Sequence, residues 1–276
     1  MLLERVDTSF HETFALNRPA IAQVMKICHE TGGAIRSENI REGTTLGTNY
    51  VKAMPRYARA CGFLEMGGYA LTRLGEAIYA RDPSLSEVWT IWLMHYHLSA
   101  PHGPGPAFWH NAVATRLRLG EEIEPSQLAF EITAFVRAAT GKELAHRTAS
   151  AAATVFLGSY LKSDALGKLR VLRLLGDKTS RRYCVIPPDP APPSVIAYAL
   201  ADFWEARFGA ALTVSESEIC ETSCFGDLFF VSRDDLRRLL EEFQRGGLLE
   251  IHRVAPPYQV ARLWATKQDL VEGLFK

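Results

Sequence analysis

Ile21, Val24, Met25 and Cys28 recur at i, i+3, i+4 and i+7, the spacing of one helix face. Asn17 before Pro19 supplies a cap and a preset first turn, and Gly32-Gly33 ends the run. A short helix over 38–42 follows behind Ser37, then a turn at 43–47 and a third helix over 48–61. Phe63-Leu64-Glu65, a Gly67-Gly68 turn and Tyr69-Ala70-Leu71-Thr72 read as a small hairpin, and residues 73–79 close the unit. Helix, helix, turn, helix and a short wing is the rhythm of a winged helix, expected over residues 1–80.

Residues 81–186 read as a helical middle domain. Trp89, Trp92, Leu93 and Tyr96 form one stripe after Asp82-Pro83, and a Pro/Gly/His loop at 101–106 separates it from Phe108-Trp109. A second apolar helix over 144–161 carries Ala149, Ala151, Ala152 and Ala153, small enough for close helix packing. Five prolines within 187–193 make a stiff, extended linker. In 194–276 an apolar helix over 195–208 comes first. Ser232 and Asp235 then form a capping box ahead of Leu236, Leu239, Leu240 and Phe243. A hairpin over 249–254 and 258–264 completes a second winged-helix-like domain. The fold class expected is therefore mainly α, with winged-helix units at both ends of a helical middle domain.

Charge narrows the partners. Lys and Arg number 31 and so do Asp and Glu, so DNA contact has to come from a local basic face rather than the whole-molecule field. Five scattered cysteines without a CxxC pair point to a reducing cytoplasm and no disulfide framework. The longest uncharged run, between Glu87 and Arg116, is apolar only over 88–98, whereas a membrane span takes about 20 such residues. The first residues carry charge where a signal peptide needs an apolar stretch. A cytoplasmic protein with no membrane partner is expected.

The sharpest binding signal lies on the third helix. No acidic residue occurs between Glu42 and Glu65, and Lys52, Arg56 and Arg59 fall at i, i+4 and i+7 beside Asn49 and Tyr50. In a helix-turn-helix this end of the recognition helix enters the major groove, where Asn and Arg read base edges and Lys holds phosphate. An ordinary solvated face is the competing reading, and Pro55 should kink or delay the helix. The basic run 162–182 offers a second phosphate surface through Lys168, Arg170 and Arg173, within two turns, or else snorkelling cations around an apolar core helix. His95, His97, His102 and His110 crowd together, but i and i+2 on a helix point about 200° apart, so no metal site is expected. Gly176-Asp177-Lys178-Thr179 lacks the glycine directly before lysine that a phosphate loop needs. No Asp or Glu stands two before a Lys, the core of restriction-type nucleases, so neither catalysis nor a cofactor is expected.

Several blocks together resemble the prokaryotic family called domain of unknown function 4007, over almost the whole chain. Phe10-His11-Glu12-Thr13-Phe14 is similar to its N-terminal signature, and Asp82-Pro83 leading to Trp92-Leu93-Met94-His95-Tyr96 to its central block. Phe108-Trp109-His110-Asn111 is similar to its aromatic-Asn block, and residues 196–204 with Gly226 onward to its C-terminal half. The first signature lacks a small-residue-Gly lead-in, and His110 stands where an aromatic is usual. The resemblance implies a component of bacterial DNA-modification and anti-phage loci, often beside DNA phosphorothioation genes, with no established activity. His11, Glu12, His95 and Asn111 match signature positions and read either as a site or, preferably, as a buried polar network.

The function expected is a non-enzymatic DNA-binding or scaffolding subunit, with double-stranded DNA and other subunits of the complex as partners. A transcription regulator of such a locus, which would be a homodimer on a palindromic site, is one alternative. A protein–protein adaptor that uses its winged helices without DNA is the other.

Overall fold

Helix α1 (Arg18–Glu30) starts where the Asn17 side chain accepts the Ala20 amide at 2.9 Å, with Pro19 in its first turn. Its apolar stripe, Ile21, Val24, Met25 and Cys28, is fully buried. The computed structural model describes residues 6–176 and 181–275, in two compact units, 1–189 and 190–276. Both are mainly helical with small antiparallel sheets.

In the first unit α2 (Ser37–Glu42) opens with the Asn39 side chain accepting the Arg36 amide at 2.9 Å. Helix α3 (Thr48–Ala60) runs unbroken through the buried Pro55, although that nitrogen has no proton for the Val51 carbonyl. The expected hairpin after α3 reduces to a single bridge, Leu64 to Leu71. Thr72 then caps α4 (Arg73–Arg81) by accepting the Gly75 amide at 2.9 Å. Gly33 (φ +77°) passes so close to this turn that a Cβ there would lie 2.5 Å from the Ala70 backbone.

Helices α5 (Val88–Ser99), α6 (Ala107–Arg116), α7 (Pro125–Thr140) and α8 (His146–Leu161) build the rest of the unit. Nearly every residue of α5 after Trp89 is buried, so it is the central helix of this unit. Phe10, Tyr57, Phe108, Trp109, Phe156 and Tyr160 pack around one another: between ring centroids Tyr57 lies 4.9 Å from Phe10, and Trp109 lies 6.5 Å from Phe10, 5.0 Å from Phe156 and 6.0 Å from Tyr160. The first 80 residues thus share one core with the middle helices.

One expectation for this unit is corrected. The apolar-basic stretch after α8 is no helix: it is a 3-10 turn at Gly167–Leu169 followed by strand β2 (Leu172–Leu175). Strands β1 (Glu122–Ile123), β2 and β3 (Arg182–Val185) form an antiparallel sheet in the order β1-β3-β2, with Leu174 opposite Tyr183. Arg170, left-handed at φ +56°, ends the turn and stops helix propagation. Asp177, Lys178 and Thr179 lie outside the described residues.

The second unit begins with α9 (Pro193–Phe208), buried around Trp204, whose ring lies 5.6 Å from that of Trp264. Ser232 caps α10 (Arg233–Arg245), accepting the Asp235 amide at 3.1 Å and donating to the Asp235 carboxylate at 2.6 Å. The hairpin β5 (Leu249–His252) and β6 (Gln259–Arg262) gains a third strand, β4 (Thr213–Ser215), in the order β4-β6-β5.

Arg18 joins the parts of the first unit. Its Nε donates to the Ala165 carbonyl at 2.8 Å, one Nη to the Ser163 carbonyl at 2.6 Å and the other to the Leu85 carbonyl. Arg18→Leu should leave these carbonyls unpaired in a buried place, at about 1–3 kcal/mol each. Urea unfolding should show a loss of about 3 kcal/mol or more; a loss under about 1 kcal/mol would remove Arg18 from this role.

Candidate nucleic-acid interface

The α3 spacing of 3.6 residues per turn lays Asn49, Lys52, Arg56 and Arg59 along one side of the helix. Asn49 and Lys52 are exposed, while Arg56 and Arg59 are half-buried. Tyr50 is half-buried, its ring 4.6 Å from that of Phe14. The two arginines are braced. Arg56 donates to the Glu12 carboxylate at 3.1 Å and the Phe10 carbonyl at 3.3 Å. Arg59 donates twice to the Gly68 carbonyl, at 2.9 and 2.6 Å, with its guanidinium 4.8 Å from the centre of the Tyr69 ring. Bracing lowers the rotamer entropy that such side chains lose when they grip a ligand.

Glu12 reaches Arg56 from a strained turn. Glu12 and Thr13 both have positive φ, +46° and +68°, and neither is glycine. Each such residue costs on the order of 1–3 kcal/mol and persists only where its surroundings enforce it. Here the Phe14 amide donates to the His11 carbonyl at 2.8 Å, and the Thr13 amide to His11 Nδ1 at 2.9 Å. Beside the turn a groove of about 270 Å³ opens, lined by Arg56 and Arg59 together with Asp7, Met66 and Pro104-Gly105-Pro106. The sequence reading missed Asp7, Met66 and this loop, because they converge only through the fold.

The signature residues are anchored at separate points. His95 Nδ1 lies 2.8 Å from the Tyr160 hydroxyl, which also accepts Trp109 Nε1–H at 3.3 Å. His11 is buried at the edge of the aromatic core, its ring 6.5 Å from Phe108. Glu12 faces Arg56, and at Asn111 it is the backbone carbonyl, not the side chain, that accepts the Thr115 hydroxyl at 2.7 Å. Aromatic packing through Phe10, Phe108, Trp109 and Tyr160 connects the His11 end to the His95 end. The other histidines cap structure: His102 Nε2 meets the Tyr96 hydroxyl at 3.1 Å and His110 Nδ1 the Ser99 carbonyl at 2.6 Å. His97 packs against Gly62, where a Cβ would lie 3.2 Å from its ring. Among the described residues no three His, Cys, Asp or Glu side chains are grouped to hold a metal ion.

The second basic surface is dispersed. Lys168 donates to the Ser86 carbonyl at 3.2 Å, Arg170 lies 3.9 Å from Asp189, and Arg173 is exposed on β2. These three are not on one helix face, because turn and strand replace the helix. Charge also divides by unit: residues 1–189 carry 22 Lys and Arg against 18 Asp and Glu, +4, and residues 190–276 carry 9 against 13, −4.

Burial lowers the His11 pKa from 6.5 to about 4, against smaller opposing effects of Asp7, the Thr8 backbone and Glu12. The unfolded chain therefore takes up this proton first as pH falls. The contribution of neutral His11 is fully present above pH 6.5 and gone below about 4. Across that window it should amount to about 3 kcal/mol. Urea midpoints measured against pH should decline there, and His11→Gln should flatten this part of the decline; an unchanged profile would place the pH sensitivity elsewhere.

Comparison with known proteins places the chain. The profile of the family described as "Protein of unknown function (DUF4007)" matches residues 9–272. No curated protein matches. A magnesium ion-bound SspB crystal structure shares the fold with a TM-score of 0.78 at 17% identity, covering 96% of this chain and 86% of that one. A second SspB crystal structure gives a TM-score of 0.76 with the same identity and coverage. At that identity the likeness shows the fold alone. The family match spans nearly the whole chain and includes the strained turn, the α3 face and both units: the protein belongs to the DUF4007 family.

Proposed function

We propose that this protein is a DNA-contacting subunit of a bacterial DNA-modification system, which holds duplex DNA on the α3 face in a winged-helix frame. The frame is α1, α2 and α3 with the 63–72 turn as a reduced wing. The carrying observation is the line of Asn49, Lys52, Arg56 and Arg59 along one side of α3, two of its arginines braced by Glu12 and Gly68. Exposed Asn49 and Lys52 stand at the end of the helix that enters a major groove in helix-turn-helix proteins. The signature blocks support the setting in DNA modification.

The second unit supports a scaffolding role. Its winged-helix-like helix, α10, exposes Asp234, Asp235, Glu241 and Glu242 among its arginines, and the unit is net negative. Such a surface disfavours phosphate and suits a partner subunit. The magnesium in one SspB crystal structure raises the question of a metal at this site. Magnesium binds through one or two carboxylates plus water and phosphate. Asp7 is the carboxylate lining the groove, and one of its oxygens already accepts from Ser9 twice at 2.8 Å. The described residues do not form a self-sufficient magnesium site, and DNA contact by α3 does not depend on one.

A triple variant, Lys52→Ala with Arg56→Gln and Arg59→Gln, removes the charge while keeping the packed arginine stems. In a duplex-binding titration over several salt concentrations, each lost phosphate contact should flatten the slope of log affinity against log salt by about 0.9, hence roughly 2.7 for three. Circular dichroism should be unchanged. Unaltered affinity and slope would remove α3 as the DNA face.

A further inference from the structure

The groove at the C-terminal half of α3 is more than a continuation of a flat phosphate-gripping face. Three separate segments make it: α3 through Arg56 and Arg59, the N-terminal segment through Asp7 and Phe10, and the 104–106 loop. Met66, 70% exposed at the turn after α3, stands at its rim. The loop wall is fixed. Pro104 and Pro106 restrict the backbone, and Gly105 is pressed on the end of α5, where a Cβ would meet the Leu98 carbonyl oxygen at 2.3 Å. The groove is thus preformed, and its lining combines two cationic side chains with apolar ones.

Its chemistry selects a ligand. Arg59 uses Nε and one Nη on Gly68, and Arg56 uses one Nη on Glu12 and Phe10, so each guanidinium retains donors for an anion. In the same groove, Met66, Phe10 and the two prolines offer apolar surface of the kind that contacts the face of a base. Asp7 would repel a phosphate close to it, but its carboxylate accepts hydrogen bonds from an exocyclic amino group. About 270 Å³ is near the lower end of ligand pockets, a scale that suits one nucleotide rather than a base pair. We propose that this groove takes a single unpaired nucleotide of the bound DNA. Its phosphate lies on Arg56 and Arg59 and its base lies against Met66 and the 104–106 loop. Asp7 favours cytosine, adenine or guanine over thymine. The inference rests on α3 as the DNA face.

The test compares two duplexes of the same sequence, one fully paired and one with a single-nucleotide bulge, by fluorescence anisotropy at fixed salt. The bulged duplex should bind about ten-fold tighter, as a base contact of 1–3 kcal/mol implies. Bulged adenine or cytosine should bind better than bulged thymine. A bulged 2-aminopurine should become protected from acrylamide quenching on binding. Met66→Glu should abolish both the preference and the protection, lowering affinity for the bulged duplex about ten-fold more than for the paired one. Paired binding with no bulge preference would overturn the pocket and leave the α3 reading standing. A preference that survives Met66→Glu, with 2-aminopurine still quenched, would assign it to DNA bending and also overturn the pocket. Failure to bind either duplex would overturn the α3 reading, and this proposal with it.

Discussion

The buried Arg18 guanidinium sets the geometry of the first unit. It is almost inaccessible, and it donates to backbone carbonyls at Leu85, Ser163 and Ala165, from two distant parts of the chain. Asn17 adds a 2.7 Å bond to the Asp164 carboxylate, and the Arg18 amide donates to the Asp164 carbonyl at 2.8 Å. Asp82 organises the same neighbourhood. Its carboxylate accepts from the Ser86 and Glu87 amides and the Thr90 hydroxyl, at 2.7–3.0 Å, and these bonds hold its pKa below the usual carboxylate value despite burial. A buried charge is tolerable only when its hydrogen bonds are met, so α1, the 82–90 loop and the end of α8 are constrained together.

The candidate interface depends on that constraint. With α1 fixed, α3 packs beside it, and the turn at 11–14 is pressed between α3 and the aromatic core around Trp109. Tyr57 makes the link explicit, donating its hydroxyl to the Phe14 carbonyl at 2.9 Å. The strain at Glu12 and Thr13 is offset by this packing, and the return is an arginine held at the mouth of a preformed groove. The second unit carries the opposite net charge, −4 against +4.

Much of the helical order was legible because it is local. The Asn17 cap, the Ile21-Val24-Met25-Cys28 stripe and the Ser232–Asp235 box all rest on spacings of a few residues. The stretch 162–175 misled because its apolar content suits a helix or a buried strand equally, and only pairing with β3 decides between them. Paired residues of the β1-β3-β2 sheet lie up to about sixty positions apart, Glu122 opposite Cys184, so no local period announces them. Nothing near Arg18 in sequence points to Leu85 or Ser163. The α3 face was legible as a charge pattern; Asp7, Met66 and the 104–106 loop were not, since their proximity exists only in the folded chain.

The central claim is that the first unit meets DNA with α3 and the turn that follows it. Backbone hydrogen exchange, compared with and without a short duplex, tests it most directly. The account predicts slowed exchange over 47–69, centred on the residues around Lys52, Arg56 and Arg59, with α10 unchanged. Slowed exchange on α10, with 47–69 unaffected, would contradict it.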